Sequence, residues 1–444
     1  MIELDINASD KSLSHRAVIF SLLAQKPCVV RNFLMGEDCL SSLEIAQNLG
    51  AKVENIAKNS FKITPPTALK EPNKILNCNN SGTSMRLYSG LLSAQKGLFV
   101  LSGDNSLNAR PMKRIIEPLK AFGAKILGRE DNHFAPLVIL GSPLKACDYE
   151  SPIASAQVKS AFILSALQAQ GASVYKENEL SRNHTEIMLK SLGANLQNQD
   201  GVLMISPLEK PLEAFDFTIA NDPSSAFFFA LACAITPKSR LLLKNVLLNP
   251  TRIEAFEALK KMGASIEYAI QSKDLEMIGD IYIEHAPLKA INIDQNIASL
   301  IDEIPALSIA MLFAKGKSMV KNAKDLRSKE SDRIKAVVSN FKALGIECEE
   351  FEDGFYIEGL EDIDQLKQRL SQKKPPLIQS FNDHRIAMSF AILTLALPLE
   401  IDNLECANIS FPQFKRLLNL FKLNLFKLNL FKLNLFKKGS LNGN

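Results

Sequence analysis

Nine consecutive residues, Asp325-Leu326-Arg327-Ser328-Lys329-Glu330-Ser331-Asp332-Arg333, hold three cations and three carboxylates. They lead into the apolar-periodic run Ile334-Lys335-Ala336-Val337-Val338. The pattern predicts a loop entering a helix. With a start near Ser328, Lys329 and Arg333 fall four apart and Glu330 and Arg333 three apart, on one face. Two fixed cations beside a carboxylate at a helix N-terminus suit a doubly anionic ligand that also exchanges a proton. A solvated ion-pair face has the same spacing. What separates the two readings is company, because other helix starts in the chain carry similar clusters.

Lys11, Ser12 and Arg16 form one such cluster. Ser12 can cap a helix, and Arg16 lies four residues on, where its fork would match a carboxylate or phosphate. Asn80-Ser81-Gly82-Thr83 with Arg86 is a second, and Gly82 lets a ligand approach the backbone. Ser106 to Arg110 precedes Pro111, with Arg110 as a loop cation. Ser155, Gln157 and Lys159 open another apolar helix. Asp302 and Glu303 stand before Pro305, and Asp383-His384-Arg385 closes the set. A helix N-terminus offers free N–H groups and about half a positive charge, so such starts suit anions. They can converge if two domains face each other. Phosphate-loop and dinucleotide glycine motifs are absent, and the five histidines are scattered, so neither nucleotide nor metal chemistry is supported and no cofactor is expected.

The helices that position these clusters recur. A helix tail ending in an apolar residue, then glycine, then a strand appears around Gly50, Gly123, Gly193, Gly263 and Gly345. Glycine there can take a positive φ as the residue closing the helix. A sixth such helix is predicted over Phe411–Leu418, without the glycine. Between these tails run helices apolar nearly all round, such as Ala17–Ala24 and Phe227–Ala234, which must be buried. Short runs such as Leu98–Leu101, Phe61–Ile63 and Leu241–Leu243 read as strands. Six units of roughly 70 residues make a repeat architecture. Six buried helices suggest closed packing, helices inside and sheets outside, in two domains of three units dividing near residue 220. Residues 361–377, charged and then Lys373-Lys374-Pro375-Pro376, read as a loop insertion.

Over residues 419–438 the phrase Asn-Leu-Phe-Lys-Leu repeats four times, its last residue changed to Lys. A period of five fits neither a helix nor a strand. Residues 419–444 are therefore expected to be a low-complexity C-terminal extension of the last helix, dispensable after Leu418. A basic amphipathic membrane anchor is the sharper alternative.

The chain has 444 residues, 46% of them hydrophobic and 23% charged, which suits a globular protein of two or three domains. A net charge of +4 gives no reason to expect nucleic acid. Seven scattered cysteines without a C-x-x-C pair read as reduced thiols of a cytoplasmic protein. The acidic start lacks an apolar signal segment, and no run of 18 apolar residues suggests a membrane span.

Asp10-Lys-Ser-Leu-Ser-His-Arg16, Asn80-Ser-Gly-Thr-Ser-Met-Arg86, Ala109-Arg-Pro-Met112, Ser155-Ala-Gln-Val-Lys159, Arg327-Ser-Lys-Glu-Ser-Asp-Arg333 and Asn382-Asp-His-Arg385 resemble, in order, the motifs of the EPSP synthase family of enolpyruvyl transferases. The resemblance runs from about residue 4 to 418. It implies an α/β (α+β) fold, a two-domain inside-out α/β barrel of six βαβαββ repeats, three per domain. It implies one domain over 1–9 plus 221–418, holding both termini, and a second over 10–220. It implies transfer of the enolpyruvyl group of phosphoenolpyruvate to the 5-hydroxyl of shikimate 3-phosphate by a monomer, through a tetrahedral adduct that loses phosphate. By the same resemblance Lys11, Ser12, Arg16, Ser155, Gln157, Ser181, Asp302 and Lys329 hold shikimate 3-phosphate. Lys11, Gly82, Arg110, Gln157, Arg333 and Arg385 hold phosphoenolpyruvate. Asp302 is the base at the 5-hydroxyl and Glu330 the proton donor. Ala8-Ser9 stands where the family usually has Pro-Gly, and Ile409 where some members have a lysine that touches phosphoenolpyruvate. Two other readings are the sister transferase acting on UDP-N-acetylglucosamine and a non-catalytic anion-binding repeat protein. The sister enzyme carries a loop cysteine near the position of Arg110, whereas no cysteine lies between 79 and 146 here.

Overall fold

The computed structural model of the protein describes residues 1–425, so most of the predicted extension over 419–444 lies outside the described residues. The six apolar helices are present and buried: α1 (Lys11–Ser21), α2 (Gly82–Leu92), α3 (Ala156–Ala166), α4 (Pro223–Ile235), α5 (Ile304–Leu312) and α6 (His384–Leu393). Every residue of α4 and α5 is buried. Five of the six begin on a side-chain cap, from Asp10, Ser81, Ser155, Asp222 and Asp383. Each such cap satisfies a backbone N–H that burial would otherwise strand, an effect worth about 1 kcal/mol. The exception is α5, where Glu303 occupies the cap position without capping. Helices α2 and α3 touch through Gly90: a Cβ there would lie 2.2 Å from the Ala161 carbonyl oxygen.

The more amphipathic helices alternate with these and close on the predicted glycines, all five at positive φ. Outside them lie four-stranded sheets with one repeated plan. Asp148–Ser151 runs parallel to Ser173–Glu177, which pairs antiparallel with Val202–Ile205, and that with Leu196–Gln199. Leu76–Asn77, Leu98–Ser102, Phe134–Leu140 and Lys125–Gly128 repeat the plan. So do Asn292–Ile293, Lys317–Val320, Gly354–Glu358 and Cys348–Phe351. Among the described residues the last repeat keeps only Leu377–Ile378 beside Glu400–Ile401.

The remaining two repeats exchange their first strands. Ile2–Leu4 runs parallel to Arg240–Leu247, and Asp216–Thr218 runs parallel to Cys28–Arg31. The chain accordingly separates into two compact units. The early unit comprises Ser9–Ala220 and Ser272–Met277; the late unit comprises Met1–Ala8, Asn221–Gln271 and the chain from Ile278 onward. Within the early unit the Asp10 N–H donates to the Ala220 carbonyl at 2.8 Å; within the late unit the Asp222 N–H donates to that of Ala8 at 2.7 Å.

Three local expectations are corrected. The charged nine-residue stretch does not start a helix at Ser328. It forms a 3-10 turn over Lys324–Ser328, Lys329 is extended, and the helix spans Arg333–Ala343 behind a cap from Asp332. Asp332, which accepts the Lys335 N–H at 3.0 Å, is the stronger cap. The supposed loop over 361–377 contains the helix Ile363–Ser371, which buries Leu366 and Leu370 one turn apart behind a cap from Asp362. Its charge density hid that apolar pair.

The third correction concerns the chain end. Residues 414–425 are helical. Phe421, in the first copy of the five-residue repeat, is fully buried, 6.4 Å from the Phe229 ring, beside a cluster that includes Phe411 and Phe414. A helix needs only one turn in register with a socket, and this copy supplies it. Phe421→Ala, or truncation after Leu418, should therefore destabilise the protein by about 3–5 kcal/mol, the usual cost of emptying a buried Phe site. Truncation after Leu425 should not. Urea unfolding of the three variants checks this, and equal midpoints for all would remove Phe421 from the core.

Candidate active site

In the early unit, α1 places Lys11, Ser12 and Arg16. Asp10, not Ser12, caps the helix, accepting the Leu13 N–H at 2.7 Å. The Ser12 hydroxyl makes no hydrogen bond among the described residues. Arg16 is 3% exposed; its Nε donates to Thr185 Oγ1 at 2.8 Å, Nη2 to Ser160 Oγ at 2.9 Å and Nη1 to the Ser12 carbonyl at 3.1 Å. Its fork is thus oriented from behind by α3 and the helix His184–Ser191. Lys11 pairs with Asp38, near the start of the helix Glu37–Asn48. Below them His15, fully buried, meets Ser42 at 2.8 Å, and Ser42 meets Ser84 at 2.9 Å. Burial pushes the His15 pKa well down, aided by Lys11 and Arg16, so the ring is neutral.

Helix α2 places Gly82 and Arg86. A Cβ on Gly82 would sit 3.1 Å from Arg86 Nη1 and 3.6 Å from Arg110 Nη1, so the glycine leaves room beside two guanidiniums. Burial lowers the Arg86 pKa to about 9, with Arg114 and Arg110 adding repulsion. Arg110 donates from Nη2 to Asn80 Oδ1 at 2.6 Å. Gln157 accepts from Arg86 and donates to Thr83 at 2.9 Å, which fixes its amide between α2 and α3. Ser155 caps α3 weakly, at 3.5 Å from the Val158 N–H.

Lys159 does not face outward with them. It is 2% exposed and paired with Glu177 at 2.7 Å and Glu186 at 2.8 Å. Ser181 is held by the same group: its N–H donates to Glu177 Oε1 at 3.0 Å and its hydroxyl to Glu177 Oε2 at 2.7 Å. Both Ser181 donors are therefore engaged, and a ligand could use only its oxygen lone pairs unless the hydroxyl turns.

In the late unit, Asp302, Glu330, Arg333, Asp383, His384 and Arg385 come together. Arg333 is 1% exposed. Its Nε donates to Asp383 Oδ2 at 2.8 Å and its Nη2 to Glu330 Oε2 at 2.6 Å; Nη1 lies 3.5 Å from Asp302 Oδ1. Nη1 is buried and makes no hydrogen bond among the described residues. A buried donor without an acceptor is costly, and an anionic ligand would satisfy it. Burial raises the Glu330 carboxyl, but Arg333 and His384 outweigh it and hold the pKa below the ordinary range. Asp383 behaves likewise, held down chiefly by Arg333 against the effect of burial. His384 is depressed to about 4 by burial and Arg385, so its ring is neutral. Arg385 stays charged despite burial because Asp302, Glu303, Asp222 and Glu330 surround it. Lys329 is half-buried and makes no hydrogen bond or ion pair among the described residues. Ile409, in the position where some family members carry lysine, is 73% exposed.

Several working side chains were not singled out from sequence. Asp38 lies 27 residues from Lys11, and Thr185 lies 169 residues from Arg16. No local pattern links such pairs. Asp383 was singled out, in Asp383-His384-Arg385, but its bond to Arg333 spans 50 residues and was not legible. Among the described residues, no group of three or more His, Cys, Asp or Glu side chains is arranged to hold a metal, and no helix is long and apolar enough to cross a membrane.

Comparison with known proteins gives one answer. Residues 3–418 match the family described as EPSP synthase (3-phosphoshikimate 1-carboxyvinyltransferase). A 3-phosphoshikimate 1-carboxyvinyltransferase of Helicobacter pylori (strain Shi470) is 97% identical over 422 residues, covering 95% of this chain and 98% of that protein. The one from strain G27 is 93% identical over the full length of both chains. A solved structure of EPSP synthase from Acinetobacter baumannii superposes with a TM-score of 0.84 at 37% identity, covering 94% of this chain and 95% of the other.

Proposed function

We propose, because the chain belongs to the EPSP synthase (3-phosphoshikimate 1-carboxyvinyltransferase) family, an assignment of its charged helix starts to the two substrates of that reaction. The protein transfers the enolpyruvyl group of phosphoenolpyruvate to the 5-hydroxyl of shikimate 3-phosphate and releases phosphate. Ser12 and Arg16 hold the shikimate carboxylate. Ser155, Gln157 and Lys329 hold its phosphate and hydroxyls, with Lys11 beside them; Ser181 joins only by turning from Glu177. Lys11, Gly82, Arg110, Gln157, Arg333 and Arg385 hold phosphoenolpyruvate.

The observation that carries the assignment is the buried Arg333 fork, with Glu330 and Asp302 on its two Nη atoms. Asp302 takes the 5-hydroxyl proton as the oxygen attacks C2 of phosphoenolpyruvate. Glu330 gives a proton to C3. The adduct then loses phosphate: C3 gives a proton back to Glu330 as the C–O bond to phosphate breaks and the double bond reforms, and the proton held by Asp302 leaves with the phosphate. Seven buried thiols without a disulfide suit a reducing compartment, so the reading places the enzyme in the cytoplasm. It is read as a monomer, because one chain supplies every assigned residue.

The test is phosphate release from phosphoenolpyruvate. Release should require shikimate 3-phosphate and should not occur with UDP-N-acetylglucosamine. Release with the sugar nucleotide would move the protein to the sister transferase. Binding of both anions without release would leave a non-catalytic binder.

A further inference from the structure

Glu303 is the one anomaly among the six buried helix starts. It stands in the cap position of α5, yet its carboxylate accepts no backbone N–H. Its side chain is 4% exposed, so the carboxylate is not turned to solvent either. It accepts from Arg385 Nη1 at 3.0 Å. The same Nη1 donates to the Asp302 carbonyl at 3.1 Å. Both hydrogens of that nitrogen are thereby used by adjacent residues of one turn. The Nε and Nη2 edge of Arg385 makes no hydrogen bond among the described residues, and the side chain keeps 15% exposure. A guanidinium held by one nitrogen presents its other edge as a two-donor fork of fixed direction. A carboxylate buried at a helix start, and not used to cap it, needs another reason to be there.

We propose that Glu303 is a positioning residue: it fixes the rotation of Arg385 so that the Nε/Nη2 edge faces the carboxylate of phosphoenolpyruvate. The inference rests on the assignment of Arg385 to phosphoenolpyruvate and goes beyond it by naming what aims the side chain. Glu303 itself touches neither substrate. Because Arg385 also bonds the Asp302 carbonyl, the same contact ties the anion-binding fork to the turn that carries the base.

Steady-state kinetics of four single variants and one double variant test this. Glu303→Ala should raise KM for phosphoenolpyruvate at least about tenfold, the effect of losing roughly 1.4 kcal/mol of binding, while kcat and KM for shikimate 3-phosphate change less than about threefold on that scale. Glu303→Gln keeps an acceptor oxygen at the same reach and should restore most of the affinity. A residue serving only the stability of α5 would lower the melting temperature without that selective change. If Glu303→Ala does not fold, Glu303→Asp keeps the charge but withdraws the carboxylate by one methylene, and it should show the same selective rise. Arg385→Lys separates the two layers of the argument. If it leaves KM for phosphoenolpyruvate unchanged, the assignment of Arg385 is wrong. If it raises that KM and neither Glu303→Ala nor Glu303→Asp does, the positioning role is wrong. The double variant Glu303→Ala/Arg385→Lys should be no worse than Arg385→Lys alone, and additive losses would also overturn the role.

Discussion

Glu330→Gln is expected to lower kcat by about 10²–10⁴-fold, the usual worth of a positioned acid, with little change in either KM. In the unliganded protein Arg333 and His384 together hold the Glu330 carboxyl below its ordinary pKa, against the effect of burial. It is therefore ionised near neutral pH and cannot give a proton. On the proposed assignment, phosphoenolpyruvate would bring further negative charge against the same guanidinium. An added anion favours the neutral form of a nearby carboxyl, so under that assignment Glu330 is expected to gain its proton as the ternary complex forms. The sign follows: kcat should fall as pH rises through the pKa of the liganded complex, and the Gln variant should lose that limb. Asp302→Asn should cost kcat in the same range by removing the base. Pre-steady-state measurement of adduct formation separates the two losses from product release. Glu330→Gln retaining more than about half of wild-type kcat, against the roughly hundredfold minimum for such an acid, would reduce Glu330 to an ion-pair partner of Arg333.

Arg333→Ala is expected to act on binding and on stability together. A hydrogen bond to a charged group contributes roughly 1.5–3 kcal/mol, so KM for phosphoenolpyruvate should rise by about one to two orders of magnitude. The substitution also leaves Asp383, fully buried, without the guanidinium that donates to it at 2.8 Å. Breaking a buried pair on one side costs about 3–5 kcal/mol. Urea unfolding should show that loss, and the double variant Arg333→Ala/Asp383→Asn should recover part of it without recovering KM. An unchanged KM for phosphoenolpyruvate would move Arg333 out of the substrate site.

Where local rules decide a feature, the sequence made it visible. The five glycines closing helices needed only their own φ, and the apolar helices needed only a chain of residues with no polar face. The candidate residues stood in short motifs for the same reason. What was not visible depends on partners far along the chain. That Asp10 rather than Ser12 caps α1 decides whether the Ser12 hydroxyl is available. That Arg16 is braced by Thr185 and Ser160, and Arg333 by Asp383, decides how each guanidinium is oriented. Phe421 was misjudged because a period of five has no consistent face, yet a single copy can still fill a socket on α4. Ser181 stood in a matching position, but its commitment to Glu177 could be read only once Lys159 was seen to be buried.

The exchanged first strands have a consequence for the order in which this protein is made. Ile2–Leu4 pairs with Leu241–Leu243, so during synthesis this segment waits for a partner 239 residues further along the chain. At about 5–20 residues per second that wait is roughly ten to fifty seconds. During it the segment is an unpaired strand bearing Ile2 and Leu4, the kind of edge that recruits wrong partners. The early unit's strand Cys28–Arg31 also waits for Asp216–Thr218, but it already has Phe61–Ile63 on its other side, and its late partner is made before that of Ile2–Leu4. Nascent chains should therefore protect the early unit first. A fragment beginning at Asn221 would leave Arg240–Leu247 with an open edge, one that a peptide of the first eight residues could close.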